Sequence, residues 1–123
     1  MQENTLVILS KQFAVDIINL CAKLKENKKG NILTNQLLRC GTSIGANIHE
    51  ANYAASKADF INKLQIAMKE CYETHYWLDI FKDANIITEA EYADLFAKCS
   101  KLRRILTASI TTAKNSISNG RQQ

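Results

Sequence analysis

Residues 56–81 read SKADFINKLQIAMKECYETHYWLDIF, and their spacing decides the fold. Phe60, Leu64, Ala67, Cys71, Thr74, Leu78 and Phe81 alternate steps of four and three. That is a heptad seam, which places all seven on one helical stripe and suits helices packed at a shallow angle. Ser56 opens the stretch with Asp59 three residues on, where a hydroxyl and a carboxylate satisfy free backbone N–H groups. The predicted helix covers 56–84.

Three further helices surround it. Over 5–25, Leu6, Leu9, Phe13, Ile17, Leu20 and Leu24 recur at helical spacing. The stretch 25–31, with Gly30 and two asparagines, ends that helix through a left-handed residue. Over 34–53 the inner stripe is Leu37, Gly41, Ile44, Ile48 and Ala51. Thr88-Glu89-Ala90-Glu91 forms a capping box that opens a last helix over 88–117. Its core face is Tyr92, Leu95, Cys99, Leu102, Leu106, Ile110, Ala113 and Ile117, and residues 118–123 are read as a frayed tail. Short connections make successive helices antiparallel. The fold class is all-α, an up-down-up-down four-helix bundle in a single domain, 1–123.

Composition agrees. The 123 residues include no proline and four glycines, so nothing breaks long helices and a turn-rich sandwich or barrel is disfavoured. A chain of this size buries roughly two-thirds of its extended surface, enough for one core without metals or disulfides. The four cysteines, Cys21, Cys40, Cys71 and Cys99, form no Cys-x-x-Cys pair. They read as buried thiols of a reduced, cytoplasmic protein. No signal peptide is visible, and the longest aliphatic run, Leu6 to Leu9, falls far short of the roughly twenty residues that span a bilayer.

Each helix needs one apolar stripe, and two helices carry more. Val7, Ile8, Val15, Ile18 and Ala22 project away from the core face of the first, and Ile66, Trp77 and Ile80 lie off the seam of the third. Aligned apolar surface of this kind marks an interface, so the expectation is a homo-oligomer. Gly41-x-x-x-Gly45 implies close backbone approach by a neighbouring helix. Whether that helix belongs to the same subunit is left open by the spacing.

Sites of chemistry are sparse. His49 and His75 have no metal partner at helical spacing, and the four cysteines cannot share one layer of the bundle. Glu70 and Glu73 read as a solvated face. No catalytic residue, metal, cofactor, membrane partner or small-molecule substrate is expected. Charge is more informative. The net charge is +4, yet residues 70–94 carry seven acids against one base, Lys82, and residues 97–123 carry six bases and no acid. Lys98, Lys101 and Arg104 lie on the outward side of the last helix, and Lys25, Lys28 and Lys29 cluster in the first loop. These six are the candidate nucleic-acid-binding residues, because Lys and Arg give salt-dependent phosphate contacts.

Residues Arg39-Cys40-Gly41-Thr42-Ser43-Ile44-Gly45-Ala46-Asn47-Ile48-His49-Glu50-Ala51 resemble the signature of the 23S rRNA intervening-sequence proteins, with Cys40 where serine is usual. Ser56 to Phe60 and Lys69 to Leu78 continue the resemblance. It implies a bacterial left-handed antiparallel bundle that assembles as a homopentamer, with no catalytic residues to carry over. Arg39, Gly41, Ser43, Gly45, Asn47 and Glu50 are the motif positions, and Arg39, Ser43, Asn47 and Glu50 are expected to form a functional or intersubunit polar strip. The expected role is a non-enzymatic scaffold that contacts RNA or a ribonucleoprotein. The alternative is a protein-interaction adaptor, or an accessory subunit of a nucleic-acid enzyme such as a reverse transcriptase.

Overall fold

The computed structural model describes the backbone of residues 2–29 and 31–122 and the side chains of 5–29 and 32–118. Four helices follow one another: α1 (Gln2–Glu26), α2 (Asn31–Ala51), α3 (Lys57–Asp83) and α4 (Glu89–Gln122). Neighbours in sequence pack together, and α4 returns to α1, while among the described residues the backbones of neither diagonal pair come close. This is the up-down-up-down bundle, closed most loosely along the α1–α4 seam.

Both N-caps read from the sequence are present. The Ser56 hydroxyl accepts from the Asp59 N–H at 3.1 Å, with Ser56 itself extended. The Thr88 hydroxyl accepts from the Glu91 N–H at 3.0 Å, and the Glu91 carboxylate accepts from the Thr88 N–H at 2.8 Å. The stops differ from expectation. The left-handed residue after α1 is Lys28, at φ 58°, and after α3 it is Asn85, at φ 59°. Each is followed by a bond across six residues, Lys29 N–H to Leu24 O at 2.9 Å and Ile86 N–H to Phe81 O at 2.8 Å, the Schellman arrangement. A lysine adopts it because those bonds satisfy carbonyls that would otherwise be orphaned.

Two boundaries shift. Thr34, read as the start of α2, lies inside it, and its hydroxyl donates to the Lys29 carbonyl at 3.3 Å, tying the loop down. The segment read as a frayed tail continues α4 to Gln122, since no proline interrupts it.

The core is centred on Phe13, Phe81, Ile17, Leu37, Ile44 and Leu102. The α3 seam begins at Ile61 instead of Phe60, which is half-buried, and then follows the heptad through Phe81. On α1 the polar Ser10 is buried alongside Leu6, while Leu9 is only half-buried. The reason is opposite it on α2. A Cβ on Gly45 would lie 3.3 Å from the Ser10 carbonyl oxygen and 3.4 Å from its hydroxyl, and one on Gly41 would meet Ile17 Cγ1 at 2.9 Å. The two glycines therefore let α1 and α2 of the same subunit approach closely, which answers the question the spacing left open. By length and composition α1 is apolar enough to cross a membrane, but one face of it, including Phe13, Ile17 and Leu24, is consumed by the core.

The crossing makes a signed prediction. Gly41→Ala gains up to about 1 kcal/mol of helix propensity but overpacks a β-branched side chain, which typically costs 1–3 kcal/mol. Urea unfolding should show a net loss of up to about 2 kcal/mol. In an Ile17→Ala background the same substitution should stabilise, because the clash is gone and the propensity gain remains. Gly45→Ala should be milder than Gly41→Ala.

Candidate functional site

The motif positions of α2 form one polar strip facing α3. Arg39 is a clamp: Nη1 donates to Glu70 Oε2 at 3.1 Å, and Nη2 donates to Glu73 Oε2. The indole N–H of Trp77 also donates to Glu73, at 3.4 Å. The hydrogen bond from Arg39 holds the Glu73 carboxyl below its usual range, against the opposing effect of partial burial. One turn on, the Ser43 hydroxyl donates to the Arg39 carbonyl at 2.6 Å, and the Asn47 amide donates to the Ser43 carbonyl at 2.8 Å. Glu50 closes the strip on Lys63 of α3 at 3.0 Å. Arg39 and Glu50 thus staple α2 to α3 within one subunit. Glu70 and Glu73 are neutralised partners of Arg39, not a freely solvated acid pair.

The other reactive types are equally committed. His75 stacks on Phe96 with centroids 4.3 Å apart and lies 3.4 Å from the Ser100 hydroxyl. Burial holds its imidazole below the ordinary histidine value, with Arg103 adding to the effect. His49 is exposed and leans on Tyr53 at 5.3 Å. All four cysteines are free and buried. Burial pushes the Cys21 and Cys40 thiols up to about 11, so they are protonated and unreactive at neutral pH. The Cys99 thiol, 3.5 Å from the Cys71 carbonyl, is raised by that neighbour and by burial. Among the described residues, no three His, Cys, Asp or Glu side chains converge to hold a metal.

The charges sort into paired and bare. Lys98 bonds Asp16 of α1 at 2.8 Å and Asp94 at 3.1 Å. Lys23 reaches Glu91 at 2.7 Å. Asp79 accepts from the Tyr92 hydroxyl at 2.6 Å. The α1–α4 groove, about 290 Å³, is lined by Asp16, Lys23, Glu91 and Asp94 of these pairs, with Asn19, Leu20 and Leu95. By contrast Lys101, Arg103, Arg104 and Lys114 of α4, and Lys69 of α3, form no salt bridge with any described residue. Of the six candidate cations, then, Lys98 is spent on the α1–α4 seam. Lys101 and Arg104 are exposed and bare, and so are Lys25, Lys28 and Lys29 around the first turn.

The apolar candidates divide too. Ile8, Val15 and Ile18 are 56%, 50% and 47% exposed on the outer face of α1. Val7, Trp77 and Ile80 pack against their own core, and Ile66 is half-buried. Trp77 meets Phe81 edge-on at 6.3 Å. The off-seam stripe of α3 is therefore largely covered by its own bundle, and that of α1 is not. Sequence reading missed two features: Ile32, 82% exposed at the start of α2, and the pair Tyr72 and Tyr76, 55% and 56% exposed on α3. The signal for the tyrosines was their spacing of four beside Lys69.

The model of the 23S rRNA-intervening sequence protein family matches residues 2–108. The chain belongs to that family. A solved structure from Bacteroides thetaiotaomicron, described as a protein of unknown function from the S23 ribosomal protein family, is 43% identical. It superposes with a TM-score of 0.87 over 90% of this chain and 99% of its own. A comparison with curated proteins finds no match. The expected family and bundle are thereby both established.

Arg39→Ala tests the clamp. Exposed bridges are worth at most about 1 kcal/mol, so the loss at neutral pH should be of that order. A carboxyl whose folded pKa lies below its unfolded value, about 4.3, contributes stability above that value. The contribution disappears as pH falls through the folded pKa. Without Arg39 the depression of Glu73 largely vanishes, so unfolding free energies of the variant should decline less steeply below about pH 4 than those of the parent.

Proposed function

We propose that the protein is a non-enzymatic, homo-oligomeric helical scaffold that binds RNA through the cations its own carboxylates leave bare. The carrying observation is that asymmetry of pairing. Among the acids of residues 70–94, Glu70, Glu73, Glu91 and Asp94 are in ion pairs between residues of the fold and Asp79 is hydrogen-bonded. Four cations of α4 have no carboxylate partner among the described residues. The exposed face that remains is positive, which favours a polyanion. The unpaired cations of α4 rank RNA above the adaptor reading, since a partner helix is received by an apolar trough and not by a row of cations. The family is named for sequences intervening in 23S rRNA, which agrees with an RNA ligand.

Ile8, Val15 and Ile18 support self-assembly, since they line one exposed stripe of α1. Five copies is the number the resemblance implies. Assembly repeats the basic face around one particle and multiplies its affinity for a long strand.

Two measurements test this. Light scattering at micromolar concentration should report several times the 13.8 kDa of one chain, and Ile8→Glu with Val15→Glu should reduce it to one chain. Filter binding to RNA should weaken steeply with salt, and Lys101→Glu with Arg104→Glu should lower affinity at least tenfold. A parent protein that remains a monomer, or binds no RNA at low salt, contradicts the corresponding half of the proposal.

A further inference from the structure

Within that RNA-binding reading, we infer that the ligand is unpaired RNA, with two successive bases stacked on Tyr72 and Tyr76 along the outer α3–α4 seam. Both rings stand more than half exposed on α3, one helical turn apart. Neither is loose. The Arg103 guanidinium lies over the Tyr72 ring, 5.8 Å from its centroid, and His75 meets the same ring edge-on at 6.4 Å. Tyr76 packs edge-on against Trp77 at 5.0 Å. Each ring is held from one side by its own chain, which leaves the opposite side for a planar ligand at little ordering cost.

The surroundings supply the phosphate contacts. Lys69 precedes Tyr72 by three residues and so shares its face. Arg103, fixed over Tyr72, and Arg104 beside it on α4 are exposed or half-exposed and unpaired among the described residues. Lys114 extends the cations toward the far end of α4. Two carboxylates of this stretch of α3 are already engaged, Glu73 by Arg39 and Asp79 by Tyr92. Alternation of exposed aromatic rings with cations is what single-strand binding requires. A phosphopeptide would use the cations and not the rings.

Spacing selects single strands over duplex. Residues four apart on a helix rise about 6 Å, against a step of about 3.4 Å between stacked bases of a duplex. Two bases seated on these rings must leave each other's stack, which an unpaired strand does readily.

The test is anisotropy of a fluorescein-labelled oligouridylate of about twelve nucleotides, with a hairpin duplex of similar length alongside. The parent should bind the single strand more tightly than the duplex. Stacking is worth about 1–3 kcal/mol per base, so Tyr72→Ala with Tyr76→Ala should weaken oligouridylate binding tenfold or more while leaving the salt slope unchanged. Tyr72→Phe with Tyr76→Phe, which keeps both rings, should bind within about twofold of the parent. Arg103→Gln should make the salt slope shallower. Circular dichroism and light scattering on each variant exclude unfolding and altered assembly as the cause. If the alanine pair binds like the parent while Lys101→Glu with Arg104→Glu does not, this inference fails and the RNA-binding reading stands. If the parent binds no RNA, both fail. If the alanine pair changes the molar mass, the rings belong to a contact between copies, and the inference is overturned.

Discussion

The approach of α1 to α2 at Gly41 sets the rest of the geometry. With Ile17 seated against a residue that has no side chain, the two helices lie closer than any larger residue there would allow. The separation fixes the rotation of α2 about its axis. Gly41, Ile44 and Ile48 then point inward, and Arg39, Ser43, Asn47 and Glu50 fall along the edge that meets α3. On α1 the same seating turns Phe13 and Ile17 into the core and leaves Ile8, Val15 and Ile18 on the outside. A glycine in mid-helix is unfavourable by about 1 kcal/mol relative to alanine, and the burial of Ile17 and its neighbours offsets that penalty.

What the sequence displays well is whatever repeats or acts locally. The heptad of α3 is present from Leu64 to Phe81, because a period of 3.5 residues encodes a stripe without reference to any partner. The two N-caps depend on residues three apart and form as written. Helix ends are less legible. Lys28 takes a left-handed conformation by virtue of backbone bonds to the preceding turn, and no side-chain preference announces that. Contacts between helices are not legible in one dimension at all. Nothing local links Arg39 to Glu70 and Glu73, or Lys98 to Asp16, yet those pairs decide which charges remain available. Trp77 shows the same limit. An apolar residue at the flank of a stripe is exposed or covered according to its neighbour, and here the ring meets Phe81 while its N–H meets Glu73.

The distinction between paired and bare charge changes how a mild net charge is weighed. A value of +4 spread over a surface would mean little. Fold-dependent pairing sets Glu70 and Glu73 against Arg39 and Glu91 against Lys23 of other helices, and Asp94 against Lys98 of its own helix. It removes only Lys98 from the positive side of α4. The other described cations of α4 therefore remain without a carboxylate partner among the described residues, beside the two exposed rings of α3.

These placements separate what the family motif specifies from what a ligand would meet. Arg39 and Glu50 pair with α3, Ser43 and Asn47 bond the backbone of their own helix, and Gly41 and Gly45 give α1 its close approach. The motif thereby secures the bundle, and a chain that carries it announces its fold more than its partner. The proposed RNA contacts lie elsewhere: Tyr72, Tyr76 and Lys69 on the outer face of α3, Arg103 and Arg104 across the seam, and Lys114 beyond the matched residues 2–108. A motif that resides in the packing fixes the shape of the bundle, and the proposed RNA contacts fall to side chains that packing leaves exposed.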